Sequence, residues 1–222
     1  MANTTVYLIR HSVRFDLLDL IDGYNTPQNK TIRREKIILS VDGEKRAEKL
    51  ANEQELQNID VVYASNCVRT LQTAKYLVEK QNLKVNIDDR FDERRVGVDN
   101  SDKYPNWFEL QFRDESYKTE GGESQVDVRN RFVPAFDEVV NANKGKRIAI
   151  FSHGIAMTYF LLRWCKLEDI NADKKICLSF NGKVFFDKKY NSPEVFKIVL
   201  DEKNEPQSIE LIEFDDIEQM DA

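Results

Sequence analysis

Two histidines, His11 and His153, are the only ones in this 222-residue chain, and each directly follows a short apolar run. The runs, residues 6–9 (VYLI) and 148–151 (IAIF), are typical of strands buried on both faces of a parallel sheet. In an open α/β sheet the ligand crevice lies outside the carboxyl ends of the strands. We therefore expect both imidazoles to project to the same edge of the molecule.

Two arginines accompany these histidines. Arg10 precedes His11, and Arg69 lies in the first turn of a predicted helix, just after a third predicted strand at residues 59–64. Free backbone N–H groups and the helix dipole favour an anion at such a helix start. Guanidinium groups bind phosphate oxygens through paired hydrogen bonds, and an imidazole can donate, accept or attack. Together these side chains predict a phosphoryl-group site.

Other interpretations of the histidines stay open at this point. A single histidine after a strand is often a satisfied core residue or a loop cap rather than a catalyst. Metal ligation is a second alternative, but two histidines without a third ligand at a recognisable spacing make a weak zinc site. Neither G-x-G-x-x-G nor G-x-x-x-x-G-K-[ST] follows the first strand, so no nucleotide cofactor is predicted. We expect no metal and no cofactor.

Composition narrows the class of protein. The chain has 33 basic and 39 acidic residues, a formal net charge of −6, so no general attraction draws it toward nucleic acid or anionic lipid. Its three cysteines, Cys67, Cys165 and Cys177, form no CxxC pair and suit a reducing compartment as ordinary buried thiols. The most apolar stretch, residues 148–165, is interrupted by polar side chains. We expect a soluble cytoplasmic protein without a membrane segment.

Strand-like and helix-like segments alternate along most of the chain, with a weaker fourth strand at residues 84–87. This alternation predicts an α/β fold, a three-layer α/β/α sandwich with a mostly parallel central sheet. Ser40, Ser65-Asn66 and Ser124 mark the predicted helix starts, the last with Asp127 in a capping-box pattern.

Two segments depart from the alternation. Residues 13–38 are charged and irregular, which predicts a surface loop inserted after the first strand. Beyond residue 176 the runs 184–186, 196–200 and 209–212 predict edge strands or a hairpin. We therefore expect one domain over residues 1–222, with a strand-rich C-terminal segment at about 177–214.

Several motifs together resemble the histidine phosphatase superfamily, which has the phosphoglycerate mutase-like fold. Residues 8–11 (LIRH), 63–74 (YASNCVRTLQTA) and 151–154 (FSHG) resemble its three signature segments. Residues 39–43 (LSVDG) are similar to its Leu-Thr/Ser-x-x-Gly helix start, and residues 122–124 to its Gly-Glu-Ser segment. The resemblance covers about residues 6–162, in the same order along the chain.

This resemblance implies a metal-independent phosphoric monoester hydrolase acting on a small phosphorylated substrate. His11 is implied as the nucleophile that forms a phosphohistidine, which water then hydrolyses. Arg10, Arg69 and His153 are implied as ligands of the phosphoryl oxygens that offset charge during transfer. Because only a neutral imidazole can attack, one ring nitrogen of His11 should be held as N–H, with a backbone carbonyl as the expected acceptor.

The resemblance also implies a general acid. Residues 91–97 (FDERRVG) resemble the Glu-containing segment of the superfamily, so Glu93 is implied as the group that protonates the leaving alkoxide. That role favours a site that desolvates the carboxyl group. Asp92 is the competing acid, and a surface ion pair of Glu93 with Arg94 or Arg95 is the alternative without function.

Three departures from the superfamily pattern leave alternatives open. Ser12 stands where a glycine is usual, and residues 13–16 (VRFD) replace a common Glu-Thr-x-Trp-Asn stretch. Arg14 either supplies the missing phosphate contact or is an exposed loop charge. No Gly-x-x-x-Trp-Glu-Gly segment follows Glu93, so the substrate pocket differs. Four aromatic residues either line that pocket or pack a helix: Tyr104, Trp107, Phe108 and Phe112.

A mutase-type phosphotransferase and a weakly active phosphate- or phosphopeptide-binding module are the remaining functional alternatives. The altered loop after His11 makes the binding module conceivable, whereas the full set of pocket residues favours an enzyme. The insertion and the altered pocket do not reproduce the phosphoglycerate-specific surroundings of the mutases, and a mutase must exclude water from its phosphoenzyme. The sequence therefore favours a phosphatase.

Overall fold

The computed structural model describes residues 3–15, 35–98, 103–170 and 174–214. The described helices are α1 (Val41–Asn52), α2 (Val68–Gln81), α3 (Trp107–Arg113), α4 (Gln125–Ala142) and α5 (Gly154–Leu161). The described strands are β1 (Thr4–Arg10), β2 (Val61–Ala64), β3 (Val85–Ile87), β4 (Arg147–Ser152), β5 (Lys166–Ile170), β6 (Ile176–Phe180), β7 (Lys183–Lys188), β8 (Glu194–Leu200) and β9 (Pro206–Ile212).

The central sheet brings the ends of β1 and β4 side by side. Its six strands lie in the order β3-β2-β4-β1-β8-β9, and the pairs β3-β2, β2-β4 and β4-β1 are parallel. Arg10, the last residue of β1, pairs with Ser152, the last residue of β4. Since both strands end in register, the residues that follow them, His11 and His153, leave the sheet next to each other.

Helices cover both faces of this sheet. Along β1, Val6 and Leu8 pack into one buried cluster with residues of α4 and α5, whereas Tyr7 and Ile9 pack into a second cluster with residues of α1 and α2. Successive side chains of a strand point to opposite faces, so a continuous apolar run is what a doubly covered strand requires. The predicted three-layer α/β/α architecture with a mostly parallel sheet is confirmed.

The C-terminal strands differ in part from the expectation. Residues 196–200, predicted to form an edge strand or hairpin, lie in β8, which pairs with β1 on one side and β9 on the other. Side chains of β8 are buried on both faces, Phe196 in one cluster and Val195 in the other, which explains the interior position. The hairpin alternative is confirmed, since β8 and β9 are consecutive antiparallel strands, and β9, which contains residues 209–212, lies at the edge of the sheet, whereas the edge-strand alternative is wrong for β8. Residues 184–186 lie in β7, at an edge of a separate antiparallel sheet, β5-β6-β7.

Two of the three predicted helix starts are confirmed. The Ser40 side chain accepts from the Gly43 N–H at the start of α1, and Ser124 forms a capping box with Asp127 at the start of α4. The prediction of a Ser65-Asn66 start was wrong, because α2 begins after Cys67, whose side chain makes no cap hydrogen bond. Ser65 is used elsewhere, in the site described below.

The predicted insertion at residues 13–38 lies mostly outside the described residues, which exclude 16–34. Its two ends are joined: Arg14 and Leu39 form an antiparallel bridge, and the Phe15 N–H donates to the Ile38 carbonyl at 2.8 Å. None of the five helices in the described part of the chain combines the length and the apolar composition that a transmembrane helix requires.

Candidate active site

The two histidines meet at the carboxyl edge of the sheet. The backbone N–H of His11 donates to the carbonyl of Ser152 at 3.0 Å, which continues the β1-β4 ladder by one residue. The imidazole centroids of His11 and His153 lie 5.2 Å apart, with the ring planes at 61°. The structure therefore brings together two side chains that are separated by most of the sequence.

The His11 ring is held in one tautomer. Its Nδ1 lies 2.8 Å from the carbonyl oxygen of Ser12, an acceptor, so Nδ1 carries the proton and Nε2 carries the lone pair. Burial, followed by the positive charges of Arg69 and Arg10, holds the pKa of His11 well below its ordinary value of 6.5. A neutral imidazole with an available Nε2 can act as a nucleophile.

His153 has both ring nitrogens engaged. Arg69 donates from Nη2 to Nδ1 at 2.8 Å, so the proton of the neutral ring lies on Nε2, which donates to the Ser65 hydroxyl at 2.8 Å. Burial and then the Arg69 charge hold the pKa of His153 well below 6.5. His153 has no exposed surface, whereas His11 is 7% exposed, so His11 is the ring that a substrate can reach.

The Arg10 side chain is held by backbone carbonyls of the segment between β7 and β8. Its Nη1 donates to the carbonyl oxygens of Tyr190 at 3.0 Å and Asn191 at 2.9 Å, and its guanidinium lies 5.6 Å from the Tyr190 ring centroid. Its Nε is buried and has no hydrogen-bond partner in the described part of the chain. A buried donor without a protein acceptor is an available contact for an anion.

Two helix N-termini face the same site. Arg69 is the second residue of α2 and is only 6% exposed, and α5 begins at Gly154, directly after His153. The N-terminal end of a helix carries partial positive charge and free N–H groups. The arrangement of β2, α2, β4 and α5 therefore adds to the positive field of the arginines and favours a phosphate group.

The loop after His11 is anchored to α1 and α2. The Ser12 N–H donates to the Thr73 hydroxyl at 2.9 Å, and the Ser12 hydroxyl is buried without a partner among the described residues. A Cβ at Gly43 would lie only 2.0 Å from the Val13 carbonyl oxygen, so only glycine permits this approach of α1 to the loop. Arg14, predicted as a possible phosphate ligand, is exposed there, and its charge contributes a small lowering of the His11 pKa.

Glu93 lies at the N-terminus of α5. Its Oε1 accepts from the backbone N–H of Ala156 and from that of Arg94, both at 2.9 Å. The surface ion pair considered for Glu93 is not among the described contacts, since Arg95 pairs with Glu123 instead, at 3.5 Å. Glu93 is close enough to Arg10 for its charge to oppose the lowering of the Arg10 pKa by burial.

Asp92, the competing acid, points to the start of α2. Its Oδ1 accepts from the backbone N–H of Asn66 at 3.0 Å and lies 4.0 Å from Cys67 Sγ. Burial raises the pKa of the Cys67 thiol. Asp92 therefore anchors the end of β2 to the loop that carries Glu93.

One group of side chains has the spacing of metal ligands. Ligand atoms of Cys67, Asp92 and His153 lie within 4.8 Å of one another. Both ring nitrogens of His153 are already hydrogen-bonded, one of them to the Arg69 cation, and burial favours the protonated Cys67 thiol. A cation placed there would meet a guanidinium charge and a neutral thiol, so these residues fit a metal ion poorly.

The four aromatic residues mainly pack a helix. Phe112 is buried, with its ring centroid 5.5 Å from that of Tyr159 on α5, and Phe108 lies 5.5 Å from Phe112. Trp107 differs, because the Arg94 guanidinium lies 5.7 Å from its ring centroid. Tyr104 and Trp107 are half-buried, so only the edge of this cluster is in a position to contact a ligand.

Sequence reasoning missed three contributors to the site. Ser65 accepts a hydrogen bond from His153, Tyr190 offers its carbonyl to Arg10, and Arg131 holds the loop around Glu93. Ser65 lies in a segment that resembles a superfamily motif, but the sequence pattern predicted only a helix start there. A backbone carbonyl such as that of Tyr190 leaves no trace in residue types, and Arg131 stands among many exposed helical charges.

Comparison with known proteins agrees with this geometry. The family model described as the histidine phosphatase superfamily (branch 1) matches residues 6–179. Phosphoserine phosphatase 1 of Hydrogenobacter thermophilus is 32% identical over 145 residues, which cover 61% of this chain and 67% of that protein.

Solved structures share the fold at low sequence identity. A mycobacterial glucosyl-3-phosphoglycerate phosphatase superposes with a TM-score of 0.65 at 18% identity, covering 95% of this chain and 96% of that one. Phosphoglycerate mutase from Bacillus anthracis superposes with a TM-score of 0.60 at 16% identity, covering 95% and 93%. The matched span contains Arg10, His11, Arg69, Glu93 and His153, and on this basis the chain belongs to the histidine phosphatase superfamily, branch 1.

Proposed function

We propose that this protein is a metal-independent phosphomonoesterase that acts through a phosphohistidine at His11 Nε2 on a small phosphorylated metabolite. The observation that carries the proposal is a neutral imidazole, fixed through Nδ1, beside the buried Arg69 and beside Arg10, whose Nε is buried. The superfamily membership and the phosphatase relatives support the same activity.

The reaction has two displacements. In the first, the Nε2 lone pair of His11 forms a bond to phosphorus as the ester P–O bond breaks, and Glu93 gives its proton to the leaving alkoxide. In the second, Glu93 takes a proton from water, which forms a P–O bond as the P–N bond breaks. Inorganic phosphate leaves, and His11 is neutral again with its proton still on Nδ1.

The groups around the phosphoryl oxygens stabilise the negative charge on these oxygens during transfer. Arg10 offers its unpartnered Nε, and Arg69 offers a guanidinium held by His153. The N-termini of α2 and α5 add their dipoles. Phosphoryl transfer involves little covalent chemistry for the protein, so positioning and electrostatic stabilisation dominate the rate.

The substrate is proposed to carry a carboxylate on its alcohol part. Two relatives are named for phosphoserine and for glucosyl-3-phosphoglycerate, esters that both have one. Arg94, next to Glu93, is 6% exposed, and its Nε has no partner in the described part of the chain. No described carboxylate forms an ion pair with it, so a carboxylate of the substrate would supply the missing anion.

The test of the function is hydrolysis in the presence of EDTA. We expect turnover of p-nitrophenyl phosphate, phosphoserine and propyl phosphate, with kcat/KM about 10- to 100-fold higher for phosphoserine than for propyl phosphate. Loss of turnover with EDTA would indicate a metal enzyme, and phosphate binding without turnover would indicate a binding module. Transfer to an alcohol acceptor instead of water would indicate a mutase. Equal kcat/KM values for phosphoserine and propyl phosphate would refute only the proposed carboxylate on the substrate and would leave the proposed phosphatase activity standing.

Glu93→Gln should lower kcat/KM for propyl phosphate by about 10²- to 10⁴-fold and kcat/KM for p-nitrophenyl phosphate far less. Only the alkoxide needs a proton in order to leave, whereas p-nitrophenolate is stable without one. The constant kcat/KM measures the difference, because it reports only the steps up to release of the leaving group, whereas kcat also includes phosphoenzyme hydrolysis, in which Glu93 acts as a base for either ester. Asp92→Asn is the matched control, since it keeps an acceptor for the Asn66 N–H and should slow neither ester selectively. An equal loss of kcat/KM for both esters in Glu93→Gln would exclude Glu93 as the general acid.

A further inference from the structure

The loop that carries Glu93 is held by one arginine from α4. Arg131 donates from Nη1 to the carbonyl oxygens of Arg90 and Asp92, both at 2.8 Å. Its Nη2 donates to the carbonyl of Glu93 at 3.3 Å. Three carbonyls of the acid loop, residues 90–95, are therefore bound by a single guanidinium.

A buried carboxylate completes this arrangement. Glu123 accepts from Nε and Nη2 of Arg131, each at 3.0 Å, in a two-point ion pair, and accepts from the backbone N–H of Arg95 at 2.8 Å. Burial raises the pKa of Glu123, but the bonds from Arg131 and Arg95 outweigh it and hold the pKa below the ordinary value. Glu123 is thus ionised at neutral pH.

The two ends of Glu93 are anchored by different elements. Its backbone is fixed to α4 through the Glu123–Arg131 pair, and its side-chain Oε1 is fixed to the N-terminus of α5 through Ala156. Helix α5 starts directly after His153, so the second anchor is tied to the phosphoryl site. The first anchor makes no described hydrogen bond to His11, His153, Arg10 or Arg69, and Arg131 acts on that site only through its charge, which contributes to the lowering of the His153 pKa.

We propose that the Glu123–Arg131 pair is a positioning device for the general acid, setting where the Glu93 carboxyl group lies relative to the leaving oxygen. The proposal rests on the acid role of Glu93 in the proposed function. Neither partner touches the reacting atoms. Glu123 and Arg131 are therefore positioning residues, and their effect should appear only where the transferred proton limits the rate.

The physical basis is the short reach of proton transfer. An acid must lie within about 2.6–3.2 Å of the atom that it protonates, and an error of about 1 Å costs about 100-fold in rate. Lysine in place of Arg131 keeps the charge but lacks the planar fork that serves three carbonyls and a carboxylate together. Arg131→Lys should therefore loosen the loop without removing a positive charge.

Arg131→Lys is expected to lower kcat/KM for propyl phosphate by about 100-fold and to leave kcat/KM for p-nitrophenyl phosphate almost unchanged. Glu123→Gln, which weakens the same ion pair from its other side, should show the same selectivity. Arg163→Lys is the matched control, because Arg163 also pairs with a carboxylate of α4, Asp137 at 2.7 Å, but far from the acid loop in sequence. It should change neither rate.

A double-mutant cycle with Glu93→Gln separates positioning from general damage. If Arg131 acts through Glu93, adding Arg131→Lys to Glu93→Gln should cost little further for propyl phosphate. Full additivity, equal losses of kcat/KM with both esters, or loss of the thermal unfolding transition in both Arg131→Lys and Glu123→Gln would each overturn the proposal. A wild-type protein inert toward both esters would overturn the proposed function and this inference with it.

Discussion

Replacing His11 with alanine should abolish hydrolysis of phosphate monoesters, with a loss in kcat of at least about four orders of magnitude. The residual groups could still bind phosphate, but no other described side chain offers an unprotonated nitrogen at this position. His153 is fully buried, and its Nδ1 already accepts from Arg69. Loss of the nucleophile therefore removes the covalent route rather than slowing it.

The measurement is phosphoenzyme trapping alongside turnover. Wild-type protein mixed with a ³²P-labelled ester and quenched in alkali, where an N–P bond survives, should carry label, and His11→Ala should not. His153→Gln is the matched control: we expect slower turnover with label still formed. Label that persists in His11→Ala and disappears in His153→Gln would assign the nucleophile to His153 instead.

The pH dependence of the same reaction follows from the His11 pKa. Burial and two guanidinium charges hold that pKa well below 6.5, and the protonated ring cannot attack. His11 is therefore neutral above a pKa that lies in the acidic range. When the pH is lowered from 7 to 6.5, we therefore expect the rate of p-nitrophenyl phosphate hydrolysis not to fall through protonation of His11.

Arg69→Gln should lower kcat by about 10³-fold or more, the scale of an arginine that stabilises transferring phosphate. The side chain is buried, lies at the start of α2 and fixes the tautomer of His153 through Nδ1. Because charge on the oxygens changes during transfer, kcat should fall more than KM rises. Steady-state kinetics with p-nitrophenyl phosphate measure both constants.

A second readout for Arg69→Gln is the acid side of the pH profile. The Arg69 charge contributes to the lowering of the His11 pKa, so its removal should raise that pKa. Below the raised pKa the nucleophile is protonated, and activity should fall at a higher pH than in the wild type. Arg46→Gln is the control, a buried arginine of α1 that pairs with Asp42. An unshifted acid limb in Arg69→Gln would contradict this electrostatic role.

Local pattern predicted the elements that carry the site. Continuous apolar runs predicted β1 and β4, because a strand covered on both faces has no solvent side to mark with polar residues. Ser40 and Ser124 predicted two helix starts, because a cap is a bond within four residues. The same rule failed at Ser65, whose hydroxyl bonds to His153, 88 residues away in sequence.

The sequence pattern did not predict the contacts between segments that are distant in the chain. The pattern predicted an edge strand or a hairpin for residues 196–200. The hairpin with β9 joins neighbouring segments, whereas the pairing of β8 with β1, which places β8 inside the sheet, joins distant ones. Tyr190 holds Arg10 through a backbone carbonyl, which every residue type possesses. Arg131 is one of many arginines, and only its three carbonyl partners distinguish it.

The sequence by itself determined the α/β layering, because the strand period and the helix period are local properties. It also determined the residue types of a phosphoryl site, since His11, Arg69 and Glu93 each follow a predicted strand. The tertiary structure alone decided which nitrogen of His11 is available, how His153 is held, and what fixes Glu93. Those properties depend on hydrogen bonds and burial between segments far apart in the chain, and such bonds exist only after the strands have paired in register.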